Sequence, residues 1–387
     1  MSALRVAMVG HGFMGAAHSV GWRQAPAVFD LPRGVEMAVL VGRNPETTAA
    51  AAAQWGWAET ASDWRDVIAR DDIDIVDIVT PGDSHAEIAI AALQAGKHVL
   101  CEKPLANSVA EAEAMAAAAA ASGTQAMVGF TYRRVPAVTL MRDLIAQGLI
   151  GEVRQVRAAY RQDWLVDPQA PLVWRLQKEH AGSGALGDIG AHIVDMTQFV
   201  TGQRVTAVSG MLETIVKERP LLAETTGLSG TAGEGTGEVT VDDVALFTGR
   251  LAGGALASFE ATRFATGRKN ALTLEVSGEK GALVFDLEEL NVLQHYDRTA
   301  PVERQGFARI LVTEDVHPYV AAWWPAGHIL GYEHGFTHQV VDLVRAIEDG
   351  MPTHGTFAEG LRVQRVLDAV ETSSAQGSAW AAVPGDD

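Results

Sequence analysis

The segment Gly10-His11-Gly12-Phe13-Met14-Gly15 follows directly on the apolar run Leu4-Arg5-Val6-Ala7-Met8-Val9, and no other feature constrains this chain as much. A strand, a tight glycine turn and an outward-facing helix N-terminus make a cradle for a dinucleotide pyrophosphate. Gly10, Gly12 and Gly15 then shape the turn, and Phe13 and Met14 stand beside the cofactor. Far downstream, Glu102-Lys103-Pro104 ends another apolar run, Lys97-His98-Val99-Leu100-Cys101. That puts a lysine at the carboxyl end of a later strand, where open α/β sheets bind ligands. Pro104 disfavours helical backbone at Lys103. A cofactor cradle and a lysine at one sheet edge point to a dehydrogenase.

A chain of 387 residues exceeds one ordinary core, so two domains are expected. Its formal net charge of −18 argues against nucleic acid and against anionic membrane surfaces as partners. Cys101 is the one cysteine, which excludes an intrachain disulfide and fits a reducing compartment. Its plain reading is a buried strand-end residue. No apolar run reaches the length of a membrane span, and no leader pattern precedes the first strand, so a cytoplasmic protein is expected.

Short apolar runs alternate with helical patterns through the first third, as in a parallel α/β sheet. Strands are expected at Leu4–Val9, Val35–Val41, Asp74–Thr80, His98–Glu102 and Gln125–Phe130. Helices are expected at Phe13–Gln24, Pro45–Trp55, Asp83–Ala95 and Ala110–Ala121, with Asn44 capping the second and Gly96 closing the third. The rhythm then changes. A helix at Val135–Gln147, a strand at Glu152–Tyr160 and a helix from Ser183 or Gly187 to Val200 precede alternating strands at Val205–Leu212, Val241–Leu251, Ala255–Arg263, Ala271–Ser277 and Gly281–Asp286. Leu222–Gly237 reads as a long loop, and helices at Glu333–Glu348 and Phe357–Ser374 close the chain. The fold class is α/β: a Rossmann domain at residues 1–130, then an α+β domain at 131–387 with a large open antiparallel sheet for substrate binding and oligomerisation. The uncovered sheet face predicts a homodimer or homotetramer.

Three groups of residues carry chemistry. At the end of the second strand, Val41-Gly42-Arg43-Asn44 lacks the carboxylate that holds an NAD ribose, and Arg43 suits a 2′-phosphate or stacks on adenine. NAD and NADP both stay open, with NAD favoured. Lys103 beside a nicotinamide would stabilise a developing alkoxide. Asp188, His192 and Asp195 recur at i, i+4 and i+7 on one helical face among glycines that admit a close ligand. His192 suits proton removal from a hydroxyl, and Asp188 suits orienting the substrate or the histidine. A zinc reading of Asp, His and Asp is weaker, since hydride transfer needs no metal. His85, after the turn Thr80-Pro81, faces the cofactor edge, whereas His18 and the remaining histidines carry no individual assignment.

Gly10–Gly15, Glu102-Lys103-Pro104 and Gly187-Asp188-Ile189-Gly190-Ala191-His192 together resemble the Gfo/Idh/MocA oxidoreductase family (glucose–fructose oxidoreductase and inositol dehydrogenase type) over essentially the whole chain. The resemblance implies Lys103, Asp188 and His192 as the catalytic set, with His192 the base. Phe130-Thr131-Tyr132-Arg133-Arg134, Gln162-Asp163-Trp164, Trp174-Arg175 and Ala181–Asp188 look like its levoglucosan dehydrogenase-like branch, whose members oxidise the 3-hydroxyl of a pyranose. By that similarity Tyr132, Gln162 and Trp174 line a sugar pocket with Lys103, Asp188 and His192. Thr80, Pro81, His85, Glu102, Lys103 and Arg175 then join Arg43 at the cofactor. Gly82 departs from the family, where an asparagine is frequent. The implied activity is NAD(P)-dependent oxidation of a pyranose, anhydrosugar, glycoside or cyclitol. Two rivals are a glycosidase working through a 3-keto intermediate with catalytic NAD, and a non-catalytic NAD(P)-binding regulator.

Overall fold

A computed structural model describes residues 2–226, 229–352 and 354–385. The chain divides into two compact units. One holds the chain through Thr131 together with Tyr332–Leu361, and the other holds Tyr132–Gly331 and the chain from Arg362 onward.

In the first unit β1 (Leu4–Val9), β2 (Val35–Val41), β3 (Glu59–Ala61), β4 (Ile75–Ile78), β5 (His98–Cys101) and β6 (Ala126–Val128) form a six-stranded sheet in the order β3-β2-β1-β4-β5-β6. Every pairing in it is parallel. The strands are nearly continuous apolar runs because helices cover such sheets on both faces. Those helices are α1 (Phe13–Val28), α2 (Pro45–Trp55), α3 (Trp64–Ile68), α4 (His85–Gln94) and α5 (Val109–Ser122). Helix α2 begins as expected: the Asn44 side chain accepts from the N–H of Glu46 and Thr47 at 3.0 and 3.2 Å. Gly56, at φ +85°, ends it. Strand order reverses beside β1, so the carboxyl ends of β1 and β4 flank the crevice where doubly wound sheets bind ligands.

The second unit contains α6 (Pro136–Ala146), β7 (Val153–Arg161), α7 (Lys178–Ala181) and α8 (Ala191–Thr201). Strands β8 (Val205–Glu213), β9 (Glu218–Thr226), β10 (Ser229–Glu238), β11 (Val244–Leu251), β12 (Leu256–Thr262), β13 (Ala271–Gly278), β14 (Gly281–Asp286), β15 (Val292–Asp297) and β16 (Phe307–Leu311) follow. With the short β17 (Ala381–Ala382), nine of these strands make one sheet in the order β16-β15-β14-β13-β7-β12-β11-β8-β17. All of its pairs are antiparallel except β12 with β7. Burial alternates residue by residue along β11, as expected where one face meets a core and the other does not.

Two expectations change. Residues 227 and 228 lie outside the described residues, and the described part of Leu222–Gly237 is not a loop: β9 and β10 pair as an antiparallel ribbon. Its Gly, Thr and Ser content hides the alternation, and its root is anchored from afar. Buried Arg219 donates to the carbonyls of Leu165 and Asp167 at 2.7 and 2.8 Å, and the Leu172 N–H bonds Pro220 O at 2.7 Å. Second, residues 332–361 do not stay with residues 132–331. Helices α9 (His334–Asp349) and α10 (Phe357–Ala375) follow β16, and α9 packs on α1. A Cβ on Gly21 would lie 2.8 Å from Phe336 O, so the two backbones touch there. Thr337 Oγ1 also donates to Gln24 Oε1 at 2.9 Å. Among the described residues no helix is long and apolar enough to cross a membrane.

Candidate active site

In the first unit the turn after β1 tolerates only glycine at its start. Gly10 has φ +104°, and a Cβ there would stand 3.1 Å from Val79 O. A Cβ on Gly15 would stand 3.0 Å from Gly10 O, so helix α1 rests directly on the turn. Gly12 is the N-cap of α1 and no side chain caps it, leaving first-turn N–H groups and the helix dipole for an anion. Phe13 is exposed at that end. These features fit the pyrophosphate of a dinucleotide.

At the end of β2 a side chain on residue 42 has no room. A Cβ on Gly42 would come within 2.3 Å of Thr48 Oγ1 and 2.5 Å of His11 Cδ2. His11 Nε2 and Thr48 Oγ1 lie 3.1 Å apart, so this pair fills the place where a ribose-binding acid would start. Arg43 beside it is exposed. Residue 82 is likewise confined, since a Cβ on Gly82 would lie 2.4 Å from Asn107 Oδ1. The Asn107 side chain would have to move to admit the asparagine frequent at that place in the family.

His85 is buried, at 1% exposure. Its Nε2 lies 2.9 Å from Thr80 O and its Nδ1 3.0 Å from Pro104 O. The ring therefore ties the loop after β4 to the loop after β5, holding Thr80-Pro81 against Pro104. Lys103 precedes Pro104 through a cis peptide. Its own N–H donates to Glu102 Oε2 at 3.1 Å. Glu102 Oε1 lies 3.0 Å from His18 Nε2, and His18 Nδ1 lies 2.9 Å from Asp77 Oδ2. The Trp22 indole N–H adds a 2.6 Å bond to the same Asp77 oxygen. All three ionisable groups are buried. Burial alone would drive the His18 pKa down, but the charges and hydrogen bonds of Asp77, then Glu102, outweigh it and hold it up at about 10. A buried imidazolium thus sits between two carboxylates behind Lys103. Gly129 makes room for it, because a Cβ there would stand 2.6 Å from Glu102 Oε1.

In the second unit the helix carrying Asp188 and His192 opens with a π turn, Leu186–Gly190, before α8. The Asp242 carboxylate holds its start, accepting from Gly184 N and Leu186 N at 2.7 Å each. A Cβ on Gly184 would lie 1.8 Å from Asp242 O. The close approach that this glycine permits is therefore to the protein's own backbone, where the sequence suggested a ligand. Asp188 Oδ2 accepts from Arg263 Nη2 at 2.8 Å, and Arg263 is 1% exposed. Arg175 stacks over Trp174, 4.4 Å from ring centre to Cζ. Burial lowers the Arg175 pKa, the Asp188 charge opposes that, and the Arg263 charge adds to it.

The His192 ring packs 4.6 Å from Tyr132 and 5.9 Å from Tyr160. Tyr132 and Tyr160 hydroxyls are 2.7 Å apart, Tyr160 reaches Asn270 Oδ1 at 2.7 Å, and Gln162 Nε2 reaches the same oxygen at 2.8 Å. Trp164 Nε1 donates to Gln162 Oε1 at 3.0 Å. Tyr132, Tyr160, Asn270, Gln162 and Trp164 thus form one hydrogen-bonded wall beside His192, and Asp188 is tied to it through Arg263, whose Cζ lies 5.4 Å from the Trp164 ring centre.

Asp188 stands inside the π turn, and His192 and Asp195 follow it in α8. Asp195 accepts from Arg133 Nε at 2.8 and 3.1 Å, with both residues buried. Among the described residues no group of three ligating side chains stands close enough together to hold a metal. His18 carried no assignment in the sequence, and Asp77, Arg263, Asn270 and Asp242 were not singled out there. The charged Asp77 inside the apolar strand run was the one local hint.

A Rossmann cradle, a strand-end lysine and a helix bearing Asp188 and His192 define a dinucleotide-dependent oxidoreductase, and the chain belongs to the Gfo/Idh/MocA family. Residues 4–130 match the oxidoreductase family with an NAD-binding Rossmann fold, and residues 138–284 match the GFO/IDH/MocA C-terminal domain. The chain is 42% identical to a levoglucosan dehydrogenase of Pseudarthrobacter phenanthrenivorans over 389 residues, covering 99% of each. Among solved structures, an oxidoreductase domain protein from Kribbella flavida is 61% identical, with a TM-score of 0.95 and full coverage of both chains. A levoglucosan dehydrogenase in complex with NADH and L-sorbose is 40% identical, with a TM-score of 0.94 and full coverage of both.

Proposed function

We infer that the protein oxidises a secondary ring hydroxyl, at C3 of a pyranose or the equivalent carbon of an anhydrosugar, glycoside or cyclitol. What carries the reading is the wall of Asp188, His192, Tyr132 and Gln162, in a chain so similar to levoglucosan dehydrogenase. NAD, held by Gly10, Gly12, Phe13, Met14, Gly15, Thr80 and Pro81, would supply the hydride acceptor. His192 removes the hydroxyl proton. Lys103 stabilises the oxyanion that develops as the proton leaves. Asp188, held by Arg263, accepts from neighbouring hydroxyls, Trp174 completes the sugar side, and Arg175 lies toward the nicotinamide. A panel of glycosides, anhydrosugars and inositols, followed by NADH absorbance, tests this. Stoichiometric NADH with one sugar class is expected. Glycoside loss without NADH would replace net oxidation by redox-neutral cleavage.

Arg43, exposed beside the crowded Gly42, meets no neighbouring carboxylate in sequence that would repel a 2′-phosphate. The reading includes NADP as a second, weaker cofactor. Arg43→Ala should cost NADP about 1.5–3 kcal/mol of affinity, the scale of a hydrogen bond to a charged group, and NAD less. Equal shifts in the two titrations would make Arg43 an adenine platform.

Met211 and Leu246 are cross-strand neighbours on the sheet of the second unit and are 55% and 42% exposed. A second copy covering that face would make the protein a dimer or tetramer. Light scattering at micromolar protein should show one, and a monomer throughout would refute it.

A further inference from the structure

The wall beside His192 has a proton order that its chemistry dictates. An indole N–H only donates, so Trp164, 3.0 Å from Gln162 Oε1, settles which end of that carboxamide is oxygen. Gln162 therefore turns its NH₂ to Asn270, 2.8 Å away, and the Asn270 atom there must be the acceptor Oδ1. Tyr160, 2.7 Å from that same oxygen, must donate to it. A phenol has one proton. Tyr160 has spent it on Asn270, so across the 2.7 Å contact with Tyr132 it accepts and Tyr132 donates. The chain cannot run the other way, because the indole at its end has no lone pair to offer.

We propose that Trp164 and Asn270 are specificity-determining residues that fix Tyr132 as a hydrogen-bond acceptor toward the sugar. The phenol oxygen, having given its proton to Tyr160, recognises a hydroxyl that donates and discriminates against a carbonyl, ether or fluorine in that place. Gln162 keeps one N–H to offer an adjacent sugar oxygen. Tyr132, 4.6 Å from the His192 ring, then has no proton for the reacting oxygen, which leaves the base role to His192. This rests on the sugar-oxidising reading above. Neither Trp164 nor Asn270 needs to touch the sugar to set the preference.

The test compares kcat/KM for the best sugar of the panel with its monodeoxyfluoro and mono-O-methyl analogues, using the full-length protein. Fluorine accepts weakly and never donates. In the wild type one hydroxyl besides the reacting one should show a penalty of about ten- to a hundredfold on replacement, the range for a buried polar partner left unmet. Tyr160→Phe removes the acceptor, lets Tyr132 turn its proton to the ligand, and should erase most of that penalty. Trp164→Phe should weaken it, because Gln162 can then flip. Asn270→Asp, which still accepts from both neighbours, should keep it. A core-packing role would instead lower kcat/KM for all analogues together. An unchanged penalty in Tyr160→Phe, or its loss in Asn270→Asp, overturns the proposal. Failure of the parent reading is distinct, because the wild type would then turn over none of the sugars.

Discussion

Alanine at His192 should lower kcat by about 10²–10⁴-fold, the usual contribution of a positioned general base, and methionine at Lys103 should do so on a similar scale. NAD affinity by fluorescence titration should persist in both. The groups proposed to cradle the pyrophosphate are the Gly10 turn and the uncapped start of α1, and neither substitution falls among them. Methionine keeps much of the lysine's length while removing its charge, so its effect reports the ammonium. His192→Ala also removes the ring that packs on Tyr132, and a thermal midpoint for each variant separates lost packing from lost chemistry. An equal fall in kcat and in kcat/KM for the sugar would mark the lost interaction as one made only in the transition state. Turnover near wild type in either variant would remove that residue from the catalytic set.

What could be read in the sequence was what lies close along it. The glycine turn, the Asn44 cap, Lys103-Pro104 and the Asp188–His192 pair each depend on residues within a few positions of one another, and each stands where local pattern put it. The hidden parts depend on partners far apart in sequence. His18 meets Asp77 and Glu102 at separations of 59 and 84 residues, and Arg263 meets Asp188 at 75. No periodicity marks such a pair. At Gly184 the pattern misled, because that glycine accommodates Asp242 from another strand connection. The β9–β10 ribbon was hidden because glycine and threonine erase the alternation that marks a half-buried strand. Residues 332–361 return to the first unit through helix packing at Gly21 and Phe336, a contact invisible to either segment alone.

The buried cation behind Lys103 gives the second large effect, and it has a sign. His18 titrates near 6.5 when unfolded and at about 10 in the folded protein. Between those values the folded state holds one proton more than the unfolded state, so stability falls as pH rises. The contribution is full below about pH 6.5 and is lost as pH climbs through 10. One proton corresponds to a slope of about 1.4 kcal/mol per pH unit across that window. His18→Gln keeps a donor near Asp77 and Glu102 but cannot titrate. Chemical denaturation from pH 6.5 to about 8.5, below the range where the buried Cys101 thiol adds its own slope, should be steeper by this amount in the wild type than in the variant. At pH 7 the variant should also be less stable by about 3–5 kcal/mol, the scale for removing one partner of a buried ion pair. The loss reaches the site through Glu102, whose second oxygen holds the Lys103 N–H at 3.1 Å. A Glu102 side chain pushed away from Asp77 carries that peptide with it, so kcat should fall in the variant even at temperatures where it is folded. Matching pH slopes in the two proteins would mean that His18 is neutral, and that the strand end is held by packing alone.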